Sequence, residues 1–224
     1  MNPAVIFDMD GTLFQTDLIL EPALEETFNQ LREENLWDSE TPLESYRSIM
    51  GVSLPEVWRT LLPNHTEEER EAANESFQKY LVEVIHRNKG ALYPHTKDVL
   101  QALTEQSFSV FIASNGEEKY LHTIVQHFGL EKFIEDIYSI QSINGGNKGD
   151  LIRKLMIDHN ISRGMVVGDR RSDIKAAKSN GLTAVGCKFD FSQEGELDGA
   201  DLVIEDLSRV TDVASSHLLH VKKV

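Results

Sequence analysis

Six short apolar runs rich in β-branched residues recur along the chain, at Ala4 to Phe7, Val110 to Ala113, Ile137 to Ile140, Met165 to Val167, Ala184 to Cys187 and Leu202 to Ile204. Between them, Thr96 to Gln106, Glu117 to Phe128, Gly149 to His159 and Ser172 to Asn180 place apolar residues three and four apart, the period of an amphipathic helix. Strand and helix patterns in alternation predict an α/β fold, a parallel sheet with helices on both faces.

Residues 15 to 92 break the alternation. Glu21 to Glu34 carries Leu24, Phe28 and Leu31 at helical spacing, and Thr66 with Glu69 forms a capping box opening a helix that runs to near Arg87. Leu43 to Met50 and Leu54 to Leu62 are shorter helix candidates, split by Gly51. The stretch reads as an inserted helical domain. It leaves the core near Gln15 to Asp17 and re-enters near Lys89 to Pro94, so residues 1–14 and 93–224 form the core and 15–92 the insertion. The segment from Ser215 to Val224 has a helical pattern without readable chemistry.

Composition narrows the class. With 40% hydrophobic and 26% charged residues the chain matches ordinary globular domains, and no apolar run approaches the length of a membrane span. The expectation is a cytoplasmic protein. A net charge of −15 argues against nucleic acid and anionic membrane as partners, which are bound chiefly through lysine and arginine. It leaves small phosphorylated substrates open, because a metal ion and one or two local cations meet their charge. The one cysteine, Cys187, has no disulfide partner and reads as a small core residue on a strand.

Ligands of open parallel sheets bind beyond the carboxyl ends of the strands, so the polar residues there are the first candidates. The first strand ends in Asp8 and Asp10, the second in Ser114-Asn115-Gly116, and the fourth in Gly168-Asp169 with Asp173 four residues on; the third leads to Lys148. In extended backbone Asp8 and Asp10 point the same way, with Gly11 allowing a sharp turn beyond them. Two such carboxylates suit a nucleophile beside a proton donor, though Asp-x-Asp-Gly also occurs in calcium loops and plain turns. Asp169 and Asp173 offer hard oxygen ligands for Mg²⁺; Asp173 equally fits as a charge at a helix N-terminus. Arg170 and Arg171 read as solvated or paired with these acids. Ser114 and Asn115, between strand and helix, suit either a phosphate or an ordinary cap. Lys148 heads a helix, an unfavourable place for a cation unless a phosphate or buried aspartate compensates. Neither a Gly-x-x-x-x-Gly-Lys-Ser/Thr loop nor a Gly-x-Gly-x-x-Gly fingerprint is present. His217 and His220 have helical spacing but no third ligand nearby, and Trp37 and Trp58 read as core of the insertion.

Taken in order, Phe7-Asp8-Met9-Asp10-Gly11-Thr12-Leu13, Ser114-Asn115, Lys148 and Gly168-Asp169-Arg170-Arg171-Ser172-Asp173-Ile174 resemble the four motifs of the haloacid dehalogenase superfamily. Its phosphatase-like members with a helical cap are the nearest in pattern, relatives of phosphoglycolate phosphatase and beta-phosphoglucomutase. The resemblance implies a Rossmann-like doubly wound parallel sheet core with an inserted helical cap domain that closes over the site. It implies a Mg²⁺-dependent phosphatase acting on a small phosphorylated metabolite, with Asp8 as nucleophile forming an aspartyl-phosphate and Asp10 as general acid and base. Mg²⁺ would be held by Asp8, the Asp10 backbone carbonyl, Asp169 and Asp173, while Ser114, Asn115 and Lys148 grip the phosphoryl group.

Asp10 favours phosphate esters over dehalogenation, since dehalogenating members of the family usually lack that acid. The cap segment Arg47 to Ser53 resembles the loop of sugar-phosphate mutases, yet Met50 stands where they carry lysine; Arg47 is the candidate substrate contact in the cap. Gln15-Thr16-Asp17 departs from the Asp-Ser common in phosphoglycolate phosphatase relatives. The competing readings are a sugar-phosphate mutase and a binding or regulatory module that kept the fold without turnover.

Overall fold

A computed structural model of the protein describes residues 2–49, 52–189 and 195–219. Met50 and Gly51, on which the comparison with the mutase loop turned, lie outside the described residues, as does His220. Strand β1 (Ala4–Phe7) precedes helices α1 (Asp17–Glu33), α2 (Leu43–Ser48), α3 (Leu54–Leu61) and α4 (Glu67–His86). The chain continues through α5 (Thr96–Glu105), β2 (Ser109–Ser114), α6 (Glu118–Phe128) and β3 (Asp136–Ser139). It ends with α7 (Lys148–Asp158), β4 (Gly164–Gly168), α8 (Arg171–Ser179), β5 (Thr183–Cys187), β6 (Leu202–Ile204) and α9 (Arg209–Ala214). The elements predicted from periodicity are present, with bounds shifted by a few residues. The helical pattern from Ser215 forms a π-helical turn over Ser215–Leu219, and residues 220–224 lie outside the described residues.

Two compact units emerge, 1–15 with 91–224, and 16–90. In the first, the strands form a six-stranded sheet in the order β3-β2-β1-β4-β5-β6, and every pairing is parallel. This is an α/β doubly wound core. Its strands are apolar almost throughout because both faces are covered. On one face Ala4 and Ile6 of β1, Phe111 and Ala113 of β2, Val166 of β4 and Ala184 of β5 pack with Leu151, Ile152 and Leu155 of α7 and Ile174, Ala176 and Ala177 of α8. Alternate residues, among them Val5, Phe7, Ile112 and Val167, are buried as well. Central β1 is flanked by β2 and β4, so the chain ends of all three strands meet at one edge. Cys187 is fully buried on β5, as its apolar neighbours suggested.

The chain leaves and re-enters this unit side by side. The Gln15 N–H donates to the Ala91 carbonyl at 2.8 Å and the Tyr93 N–H to the Leu13 carbonyl at 2.9 Å. In the second unit, α1 and α4 pack around Leu24, Phe28, Phe77 and Trp58, and Trp58 Nε1 donates to Asn74 Oδ1 at 3.0 Å. Trp58 is core, whereas Trp37 is half-buried with its edge against Phe28. The capping box at Thr66 and Glu69 is formed. Because Ile6 is fully buried between two helices in the central strand, Ile6→Ala leaves a cavity. Denaturant unfolding is expected to show a loss of about 2–5 kcal/mol.

Candidate active site

Each candidate residue follows from where a strand stops. β1 ends at Phe7, and the Asp8 N–H still donates to the Val167 carbonyl of β4 at 2.9 Å, so Asp8 is fixed by the sheet rather than by a loop. The chain then turns: the N–H groups of Thr12, Leu13 and Phe14 all donate to the Met9 carbonyl. Gly11 has φ +76°, and a Cβ there would lie 2.5 Å from Asp169 Oδ2, so the turn needs glycine twice over. At the end of β4, a Cβ on Gly168 would overlap Asp173 Cγ at 2.2 Å. The two glycines let carboxylates pack directly against backbone.

Asp8, Lys148, Asp169 and Asp173 are 6%, 4%, 4% and 1% exposed, burial that charged residues tolerate only when paired. Lys148 Nζ lies 2.7 Å from Asp8 Oδ1 and 2.5 Å from Asp173 Oδ1. Thr12 Oγ1 donates to Asp169 Oδ1 at 3.1 Å, and Arg170 Nε approaches Asp169 Oδ2 at 3.1 Å. Asp173 also accepts the Arg170 N–H at 2.9 Å, so it serves its helix and the site at once. Of the two arginines, Arg170 pairs with Asp169, while Arg171 turns to the Gly195 carbonyl and its N–H to Glu196.

Three carboxylates face one ammonium, and their proton affinities record the imbalance. Burial raises the Asp169 carboxyl to about 7, with Asp8 and Asp173 adding to the rise against Arg170 and Lys148. Burial likewise raises Asp173 to about 6, with Lys148 opposing. Asp8 is raised by burial and by Asp10 while Lys148 pulls it down. Lys148 is held above its ordinary value because Asp173 and Asp8 outweigh its own burial cost. Ligand oxygens of Asp8, Asp169 and Asp173 lie within 4.8 Å of one another. Asp8 Oδ1 and Asp173 Oδ1 meet the ammonium at close range yet without a well-angled hydrogen bond, so lone pairs remain in a buried acidic cradle. All-oxygen donors with excess negative charge fit a hard divalent cation.

Asp10 belongs to a different neighbourhood. Its Oδ1 accepts the Tyr120 hydroxyl at 2.6 Å and its Oδ2 the Ser114 hydroxyl at 3.5 Å, and its carboxylate is outside the trio. Ser114, at the end of β2, is buried; Asn115 is exposed in the turn that follows. The structure thus brings together Asp8, Lys148, Asp169 and Asp173, with Asp10 and Ser114 beside them. Thr12 and Tyr120 are the residues that sequence reasoning passed over. Thr12 stood next to Gly11 in the first motif; Tyr120 merges into the apolar stripe of α6. Arg47, the candidate contact in the helical unit, pairs through its guanidinium with Glu21 and Glu44.

A doubly wound parallel sheet whose central strand ends deliver a carboxylate cluster with one buried lysine defines an α/β enzyme. The family model for haloacid dehalogenase-like hydrolases matches residues 5–187, and the chain belongs to that family. It is 24% identical over 219 residues to a phosphoglycolate phosphatase of Vibrio vulnificus, covering 93% of this chain and 94% of that one. It is 23% identical over 221 residues to a 5'-nucleotidase of Pseudomonas aeruginosa, covering 96% of each. In fold it is similar to CbbY of Rhodobacter sphaeroides, solved in complex with phosphate, with a TM-score of 0.79 at 19% identity over 94% of this chain and 96% of that one. Among the described residues no helix is long and apolar enough to cross a membrane.

The raised carboxyls fix a sign. A native carboxyl near 6 or 7 holds its proton where the unfolded chain, near 4, has lost it, so native stability falls as pH rises from about 4 through 7. In metal-free protein the thermal midpoint should fall between pH 5 and pH 8, and a divalent cation should raise it at pH 8 far more than at pH 5. Asp169→Asn should flatten both responses.

Proposed function

We propose that the protein is a magnesium-dependent phosphomonoesterase that hydrolyses a small phosphorylated metabolite through an aspartyl-phosphate on Asp8. The observation that carries this reading is the division of labour between the two acids of the first motif. Asp8 lies against Lys148 among the metal-type carboxylates, and Asp10 is held apart by Tyr120 and Ser114. Phosphatases and a nucleotidase among the relatives, and a fold neighbour solved with phosphate, support the same chemistry.

Lys148 favours the ionised, nucleophilic form of Asp8 against the burial that disfavours it. An Asp8 carboxylate oxygen forms the bond to phosphorus as the ester P–O bond breaks. Asp10, entering protonated, gives its proton to the leaving oxygen so that the product departs as an alcohol. As a carboxylate, Asp10 then takes a proton from the water whose oxygen attacks phosphorus, and Asp8 is released. Ser114, Asn115 and Lys148 hold the phosphoryl oxygens, the first two from the strand-to-helix turn. Mg²⁺, bound by Asp8, Asp169, Asp173 and the Asp10 backbone carbonyl, would neutralise charge on the transferring group. The helical unit of residues 16–90 is the proposed cap that selects the substrate. With Arg47 engaged by two glutamates, its role as a contact would require exchanging those partners for the substrate.

A screen of phosphate monoesters with Mg²⁺ tests the reading. Release of inorganic phosphate supports it, whereas an isomerised sugar phosphate with none released would identify a mutase. Asp8→Asn should lower turnover by at least about 10³-fold, as expected for loss of a nucleophile. Lys148→Met should lower it by about 10²-fold or more, because the group that stabilises charge at the reacting centre is gone. Full activity in Asp8→Asn would overturn the assignment.

A further inference from the structure

The phenol of Tyr120 is buried at 4% exposure and donates to Asp10 Oδ1 at 2.6 Å, a short contact for a neutral donor meeting a carboxylate. The ring packs close to the backbone of residue 116: a Cβ on Gly116 would sit 3.1 Å from Tyr120 Cδ1 and 3.1 Å from Leu121 Cδ2, tight enough to press on both. The turn after β2 and the first turn of α6 therefore form one device, in which a missing Cβ admits a ring and the ring delivers a hydroxyl. The constraint it answers is electrostatic. Asp10 sits two residues from Asp8, which belongs to the carboxylate trio. The buried ammonium of Lys148 is held by Asp8 and Asp173. A carboxylate free to rotate would be drawn towards that cation or towards a metal at the trio.

We infer that Tyr120 is the positioning residue for the general acid: its hydroxyl anchors Asp10 Oδ1 outside the metal-type carboxylate trio, so that Oδ2, which meets the Ser114 hydroxyl at the longer distance of 3.5 Å, carries and transfers the proton. The inference rests on the phosphomonoesterase reading. A phenol suits the task. It donates one bond, brings no charge to compete with the metal or the substrate, and has only two side-chain torsions, both fixed by packing. An oxygen that already accepts a strong hydrogen bond is the poorer proton carrier, so the proton goes to the other one. Tyr120 keeps its own proton throughout: Asp10 Oδ2–H gives its proton to the leaving oxygen in the first half-reaction and recovers one from water in the second.

The test compares two esters of similar shape but different leaving-group acidity, p-nitrophenyl phosphate and phenyl phosphate, by kcat/KM, which reports the steps through loss of the phenol. Nitrophenolate leaves without help and phenolate needs a proton. Tyr120→Phe, which removes only the hydroxyl, should lower kcat/KM for phenyl phosphate by about tenfold and for p-nitrophenyl phosphate by no more than about twofold. In an Asp10→Asn background the same change should cost no more than about twofold on either ester, since there is no acid left to position. Equal losses on the two esters, or a loss that adds in full to that of Asp10→Asn, would mean the hydroxyl serves structure alone and would overturn the inference. Failure of the unmodified enzyme to hydrolyse either ester would instead sink the phosphomonoesterase reading beneath it. Should Tyr120→Phe fold poorly, Gly116→Ala displaces the ring by its new Cβ and should show the same ester preference.

Discussion

The rest of the core depends on the contact of the Lys148 ammonium with Asp8 and Asp173. Removing charged groups from water costs several kcal/mol each, and a buried pair survives only with close partners. Here three acids share one buried lysine, with Arg170 reaching the third from the rim. The geometry that permits this begins in the sheet order, which sets β1 between β2 and β4 and so brings Asp8 beside Asp169. It continues in two positions without side chains, Gly11 and Gly168, where acid groups lie against bare backbone. Lys148 itself stands at the start of α7, where the helix dipole opposes a cation. The aspartates more than offset that cost. The cluster still carries more negative charge than the lysine cancels, which leaves it prepared for a divalent cation and a phosphoryl group.

The second feature is separation. Asp8 and Asp10 are adjacent in the motif and would compete for the same cation if both faced it. The turn that begins at Met9, with three N–H groups on one carbonyl, sends Asp10 towards β2 and α6, where Ser114 and Tyr120 receive it. Asp8 is set against the Lys148 ammonium, whereas Asp10 meets the hydroxyls of Tyr120 and Ser114. Such a difference of surroundings would let two chemically identical side chains take the different parts proposed for them.

Much of this was legible in sequence because the signals were local. The apolar runs gave the strands, the threefold and fourfold spacing gave α5 to α8, and the Thr66–Glu69 capping box gave the start of α4. Strand-end acids and Lys148 were readable for the same reason: parallel sheets put their chemistry at one edge. What escaped notice was long-range or disguised. Tyr120 lies among Leu121, Ile124 and Val125 on the buried side of α6, where a tyrosine looks like one more apolar residue. Thr12 meets Asp169 across 157 positions. Arg47 had a visible partner in Glu44, one helical turn away, but not in Glu21, which comes close only when α1 and α2 fold. The chain bends at Met9, and Gly11, with φ +76°, makes the sharp turn expected beyond the two acids.

Asp8 is the residue proposed to take the phosphoryl group on a carboxylate oxygen. Asp10→Asn offers the direct view, because a substrate with a good leaving group still reacts while hydrolysis of the intermediate slows for want of a base. After brief incubation with p-nitrophenyl phosphate and Mg²⁺, acid quench and peptide mass spectrometry should find a phosphoryl group on Asp8. Release of nitrophenolate with no phosphoryl group on Asp8, or with one on another residue, would contradict it.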